Sequence, residues 1–428
     1  MKVSGLRWLM IGLVFLATVI NYIDRQTVSV LKTEISQDLH LSNADYAGIQ
    51  NAFLVFYGIS QMVSGRLFDL IGTRLGFVFS IVVWSLAALA HATARGAVSF
   101  GVFRAALGFG EAGNWPGAAK VVGEWFPVRE RALGMGIFNT GAAVGGALSP
   151  PLIAWIATAY GWRATFVITG ALGFIWLALW LMFFRSPSQH PWITQAERAY
   201  ILDGAAPAVA GASVWRPTWG QLLGYRQTWA IVMGRFITDP IWWLYVFWLP
   251  SYLQEARGFS LKEVGFSAWL PFLAGGIGAL SGGYASGALI SRGFTVDRAR
   301  KAVMIFGAML TPAGILAMRA SDPYVCLAWM AVVLFGFQVW VNNLQTLPSD
   351  FFPSSAVGSV FGLGGLAAAT ASVLYTWGTG RVVDQFGYTP VFLVAGVLGP
   401  LGLVVTLALA GRIGSIDLKG KAPKENTA

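Results

Sequence analysis

Apolar runs of about 20 residues recur along the whole chain, and a run of that length is what an α-helix needs to cross a bilayer. Twelve are placed at 8–28, 46–66, 76–94, 98–120, 133–156, 163–185, 228–252, 264–290, 301–319, 323–346, 357–380 and 388–411. Lipid offers no partner for a bare peptide group, so repeated runs of this kind leave a bundle of membrane-spanning helices as the fold. Composition agrees: 56% of the 428 residues are hydrophobic and 11% are charged, against about 25% charged in a soluble domain. A soluble enzyme, a disulfide scaffold and a disordered chain are therefore excluded. The net charge of +10 sits in short clusters between the runs, so no nucleic-acid partner is expected and the lipid bilayer is. Met1–Ile20 starts like a secretion signal, but the apolar run passes without a small-residue cleavage site into Asn21-Tyr22-Ile23-Asp24-Arg25; it reads as a retained first helix. The lone Cys326 and the scattered His40, His91 and His190 offer no metal-ligand spacing, so neither a disulfide nor a metal is expected.

The longest polar stretch, 186–226, lies near the middle and divides the runs six and six. The expected fold is thus all-α and integral to the membrane, with two pseudo-symmetric bundles of six helices. The expected boundaries are 1–186 for the first bundle, 187–226 for a cytoplasmic central loop, 227–411 for the second bundle and 412–428 for a cytoplasmic tail. Two similar halves are how many transporters are built. With both ends on one side, nineteen of the 29 basic residues fall on that side and seven on the other. The positive-inside rule makes the terminal side cytoplasmic. Interior glycines such as Gly134, Gly136, Gly141, Gly145 and Gly146 let helices approach closely where packing drives association.

Three basic residues, Arg25, Arg104 and Arg235, fall inside runs, as do Asp24, Glu111 and Asp239. Each costs at least ~2.5 kcal/mol to insert, so such groups face a wet interior or one another. Arg104 and Glu111 are two turns apart on one face, about 10 Å along the axis, as two stations of one cavity. Asp24 and Arg25 are adjacent and point about 100° apart, so they address different surroundings. Arg235 and Asp239 have the i, i+4 spacing of an ion pair, and Pro240 follows. Tyr57 with Gln61, and Asn342, Asn343 and Gln345, supply neutral hydrogen-bonding groups. Trp242 or Tyr245 is a candidate to stack on a sugar ring, and packing is the plainer role for both. Arginines stay charged and grip carboxylates with two donors, so the pattern asks for a small organic anion. A nearby carboxylate that takes a proton stops competing for the arginine, which couples proton uptake to anion binding. No nucleophile, catalytic dyad or metal cluster suggests an enzyme.

Gly65-Arg66-Leu67-Phe68-Asp69-Leu70-Ile71-Gly72-Thr73-Arg74 and Arg104-Ala105-Ala106-Leu107-Gly108 resemble signature motifs of the major facilitator superfamily. Asn21-Tyr22-Ile23-Asp24-Arg25, Gly110-Glu111-Ala112, Glu124-Trp125-Phe126-Pro127 and Glu130-Arg131-Ala132 are similar to its anion:cation symporters. The runs 235–243 and 347–353 are similar to the hexuronate transporters among them. The resemblance covers residues 5–411. It implies proton-driven uptake of a sugar acid by alternating access, in the inner membrane, by a monomer with no cofactor but the coupling proton. Carried over by position, Arg25 and Arg104 bind substrate, Asp24 and Glu111 take protons, and Tyr22, Tyr57 and Gln61 line the pocket. Galactonate-type members have a glutamine where this chain has Ala142, and Asn139, one turn away, is the substitute. Arg235, Trp242 and Asn343 complete the expected substrate set, with Asp69 and Arg74 as gating residues. In the expected cycle Asp24 competes for Arg104 until protonated. The rival reading is an organic-anion or organophosphate exchanger without obligatory proton coupling; the acids speak against it.

Overall fold

The computed structural model describes residues 5–127, 131–202, 218–352 and 354–416. The described helices are α1 Leu6–Val30, α2 Lys32–Leu39, α3 Asn43–Ala90, α4 Ala97–Glu111, α5 Asn114–Trp125, α6 Arg131–Phe183, α7 Gln195–Leu202, α8 Trp219–Leu223 and α9 Arg226–Glu255. They continue with α10 Leu261–Ser267, α11 Trp269–Ser291, α12 Val296–Leu310, α13 Ala313–Arg319, α14 Pro323–Phe351, α15 Ser354–Phe386 and α16 Thr389–Ala410. Two are double spans, because α3 and α6 each fold back at one glycine: Gly72 at φ 80°, ψ 162° and Gly161 at φ 81°, ψ 168°. Only a residue without a Cβ enters that region at low cost. Pairing α4 with α5, α10 with α11 and α12 with α13 then gives twelve spans, as the apolar runs require.

The same device marks a finer repeat. Gly293, between spans 8 and 9, has φ 93°, and Gly387, between spans 11 and 12, has φ 73°. A left-handed glycine thus joins the second and third helix of each of four three-helix units, so each half is itself a pair of repeats. Among the described residues, length and hydropathy alone single out eight membrane candidates, and Gly134–Phe183 is long enough for two. The α4–α5 span is broken at Ala112-Gly113, where the sequence suggested one continuous helix, and Glu111 ends the first piece. The central segment is not only loop. Helix α7 docks on the first half, where the Glu197 carboxylate accepts from the backbone N–H groups of Gly5, Leu6 and Arg7. An acid there satisfies the free donors at the start of α1 and complements the helix dipole.

Close helix packing sets the site's positions. A Cβ on Gly108 would stand 2.4 Å from the Phe53 carbonyl oxygen, and one on Gly145 2.7 Å from Tyr22 Cβ. These glycines bring span 4 against span 2 and span 5 against span 1. The halves meet at the end remote from the N-terminus. There Lys32 donates to Glu255 (2.6 Å), Gln254 to the Val30 carbonyl (3.1 Å), and the backbone N–H groups of Asn43 and Ala44 to Asp384 (3.1 and 3.0 Å). Cross-half hydrogen bonds among the described residues cluster at that end. Toward the termini the halves part, and Gln61 and Asn139, deep inside apolar runs, are exposed.

Candidate functional site

The site starts from the i, i+4 pair Asn21 and Arg25 on α1. Asn21 Oδ1 accepts from Arg25 Nη2 at 3.0 Å. Nε and Nη2 of the same guanidinium donate to Glu111 Oε2 at 3.0 and 2.9 Å, and both side chains are buried. A charge-assisted pair of this kind makes the burial of two charges tolerable. Four rings surround the guanidinium: Tyr22 (4.8 Å), Phe53 (5.2 Å) and Tyr57 (5.0 Å) from the first half, and Trp243 (5.5 Å) from span 7 of the second. Their faces favour a cation electrostatically. Arg25 therefore sits at the junction of the halves, under a mixed aromatic roof.

Arg104, 0% exposed, is held differently. Its Nε and Nη2 donate to Gln50 Oε1 at 3.1 and 2.9 Å, and Nη2 also donates to the Arg25 carbonyl at 2.9 Å. Gln50 in turn donates to the Tyr46 hydroxyl (2.7 Å), which donates to the Phe247 carbonyl on span 7 (2.6 Å). The site is thus wired to the seam between the halves. Several buried polar atoms carry no hydrogen-bond partner among the described residues: Arg104 Nη1, Glu111 Oε1, Asn21 Nδ2 and both Asp24 carboxylate oxygens. In folded proteins nearly all such atoms are satisfied, so a cluster of exceptions marks a place of function or of bound water.

The expected residues divide clearly. Arg25, Glu111, Tyr22 and Tyr57 come together. Asp24 does not bond Arg104: the 100° step from Arg25 turns it into the first half, beside the Thr169 hydroxyl of span 6. Glu111 is the competing acid, and Arg25 is its arginine. Gln61 and Asn139 are exposed, and no hydrogen bond among the described residues joins either side chain to this cluster. Arg235 pairs with Asp239 at 2.7 Å within span 7.

Asn343 joins no cavity group. It donates to the Gly282 and Val339 carbonyls and accepts from Arg300 (3.2 Å), which also grips Asp350 (3.0 Å), so it braces spans 8 to 10. Trp242 stacks on Phe337 and meets Phe272 edge-on inside its own half; Trp243 is the ring that reaches Arg25. Arg74 donates to the Leu181 carbonyl (2.7 Å), pinning the turn between spans 2 and 3 to span 6. The Asp69 side chain lies outside the described residues. Sequence reasoning missed Gln50 and Tyr46, whose i, i+4 spacing was a usable signal, and the Lys32–Glu255 latch, whose partners are 223 residues apart.

The model of the family described as "Major Facilitator Superfamily" matches residues 14–376. The chain belongs to the Major Facilitator Superfamily. As a member it is a multi-pass membrane transporter and not an enzyme. It is 35% identical over 406 residues to the hexuronate transporter of Escherichia coli strain K12, covering 94% of each chain. It is 36% identical over 332 residues to the galacturonate transporter of Dickeya chrysanthemi, covering 77% of this chain and 96% of that one. Among solved structures, a bacterial homolog of the human lysosomal transporter Spinster, inward-facing and occupied, superposes with a TM-score of 0.75 at 15% identity, covering 96% of this chain and 98% of that one. The superfamily fold is thus shared far beyond sequence similarity.

Proposed function

We propose that this transporter imports a hexuronate, or a closely related sugar acid, together with protons, by alternating access of its two halves. The observation that carries the reading is the Arg25–Glu111 pair under Trp243: a cation suited to a carboxylate, already engaged by an acid that a proton would neutralise. The relatives' substrates support it, as both named relatives carry uronates. In this reading the protein lies in the inner membrane, with both termini and the central segment in the cytoplasm and residues 1–186 and 227–411 as the moving units. The sealed end then faces outward, and the structure is the inward-open state of a monomer that uses no cofactor beyond the coupling proton.

The contacts support a cycle of this kind. With the cavity empty, Glu111 holds Arg25. A proton reaching Glu111 from outside removes the competing charge, and Arg25 takes the substrate carboxylate with two donors. The free Nη1 of Arg104 adds a second cationic donor nearby. Tyr22 and Tyr57 close over the sugar, while Gln61 and Asn139 line its exit. Asp24, set beside Thr169, is the second protonation site. Arg74, with Asp69, closes the cytoplasmic end when the halves rock the other way.

The test is uptake into proteoliposomes. The wild type should concentrate labelled glucuronate or galacturonate when a pH step, acid outside, is applied. Glu111→Gln should still exchange internal for external substrate but fail to concentrate it. Accumulation that persists in Glu111→Gln removes the coupling role.

A further inference from the structure

Span 7 carries a second polar station that the Arg25 site does not use. Arg235, Asp239, Trp243 and Phe247 follow at i, i+4 spacing and lie along one stripe of α9. The upper two already face the first half: Trp243 packs at 6.3 Å from the Phe53 ring and Phe247 at 6.5 Å. The lower two continue that stripe along the helix, and their side chains are 12% and 10% exposed. Asp239 lies about 6 Å along the helix from Trp243, and so from the depth of Arg25. That is about the length of one pyranose ring.

The chemistry of this station is unlike that of Arg25. Arg235 gives Nε and Nη2 to Asp239 Oδ2, at 3.2 and 2.7 Å, so the station is net neutral. Asp239 Oδ1 is buried with no hydrogen-bond partner among the described residues. Span 11 makes room for the arginine: a Cβ on Gly364 would stand 3.1 Å from Arg235 Cδ, and the Phe361 ring lies 5.4 Å from the guanidinium. A neutral acid–base pair with one free carboxylate oxygen accepts hydrogen bonds from hydroxyl groups. It repels a second carboxylate, which would meet that oxygen while the arginine is already engaged.

We propose that the Arg235–Asp239 pair reads the hydroxylated end of the substrate and selects monoanionic sugar acids against sugar dicarboxylates. This inference rests on the sugar-acid reading above and names the substrate class of the same cavity. Asp239 is the excluding residue, because it both occupies Arg235 and presents the like charge. Removing that charge frees Arg235 for a second carboxylate.

Competition against labelled glucuronate on the full-length protein in proteoliposomes tests it, with glucuronate, galacturonate, glucarate and galactarate as competitors. The wild type should prefer the two uronates over the two dicarboxylates by about tenfold or more. Asp239→Asn should narrow or reverse that ratio by about tenfold. An unchanged ratio in folded Asp239→Asn overturns the proposal, as does a wild type that takes glucarate as well as glucuronate. If Asp239→Asn does not fold, the double variant Arg235→Gln, Asp239→Asn leaves no unpaired charge. It should bind uronates about tenfold more weakly at an unchanged melting temperature, and an unchanged affinity overturns the proposal. A wild type that binds none of the four acids defeats the sugar-acid reading itself, and the selectivity proposal with it.

Discussion

The two halves bury charge in opposite ways. In the first, Asp24, Arg25, Arg104 and Glu111 come from two spans, and each arginine has a partner far away in the chain: Arg25 is held by Glu111 as well as by nearby Asn21, Arg104 by Gln50 and by the Arg25 carbonyl. In the second, Arg235 and Asp239 neutralise each other on one turn of one helix. The first arrangement exists only when spans 1, 2 and 4 are assembled, so whatever changes one member is felt by the rest. The second is local and keeps its charge balance however the halves move. A coupling site suits the first kind, since a proton on one acid redistributes the partners of two arginines. A recognition surface suits the second.

Arg25→Gln breaks the comparison most severely. It removes the one of the first half's two buried cations that pairs with Glu111, and uptake of glucuronate should fall by ~100-fold or more; initial rates in proteoliposomes measure this. Next comes stability. Glu111→Ala strands the buried Arg25 and should cost ~3–5 kcal/mol. Asp239→Ala leaves a partly exposed Arg235 and should cost only ~1–3 kcal/mol. Thermal unfolding in detergent ranks the two, and the reverse order would contradict the contrast between the halves.

The seam offers a smaller, pH-dependent effect. Burial, outweighing the Glu255 carboxylate, lowers the Lys32 ammonium below its ordinary value. As pH rises through that lowered value, Lys32 gives up its proton, while an exposed lysine would still be charged. The sealed state therefore holds fewer protons than an open one with Lys32 exposed, and by linkage this end should open less readily at alkaline pH. Labelling of a cysteine placed beside the seam, corrected for the thiol's own ionisation, should fall several-fold as pH rises in the wild type and lose that dependence in Lys32→Met. The smallest effect is expected at Asn343, which only braces spans 8 to 10. Asn343→Ala should lower stability by ~1 kcal/mol and leave the KM for substrate unchanged.

The contrast also explains what could be read from the sequence. Twelve spans were legible because lipid enforces length and hydropathy on every crossing segment. Arg235–Asp239 was legible because its partners share a helix. Arg25 and Glu111 were recognisable as candidates, since charge in an apolar run is costly, but their pairing was not. Adjacent Asp24 and Arg25 face different neighbours, and only the packing of span 4 on spans 1 and 2 decides which acid meets which base. Trp243 and Trp242 are equally aromatic on paper; the register of span 7 against the first half selects Trp243. Asn343 looked like a cavity group because a polar residue in lipid suggests function, whereas Arg300 and two backbone carbonyls consume it.

The central claim is that the Glu111 carboxylate and a substrate carboxylate exchange places on Arg25, with a proton on Glu111 as the switch. Glucuronate binding to the purified protein, titrated at several values between about pH 5 and pH 8, tests it directly through linkage. The wild type should bind more tightly as pH falls and take up protons on binding, while Glu111→Gln should depend on pH more weakly and take up fewer protons. A wild-type affinity independent of pH, or proton uptake undiminished in Glu111→Gln, would contradict the account.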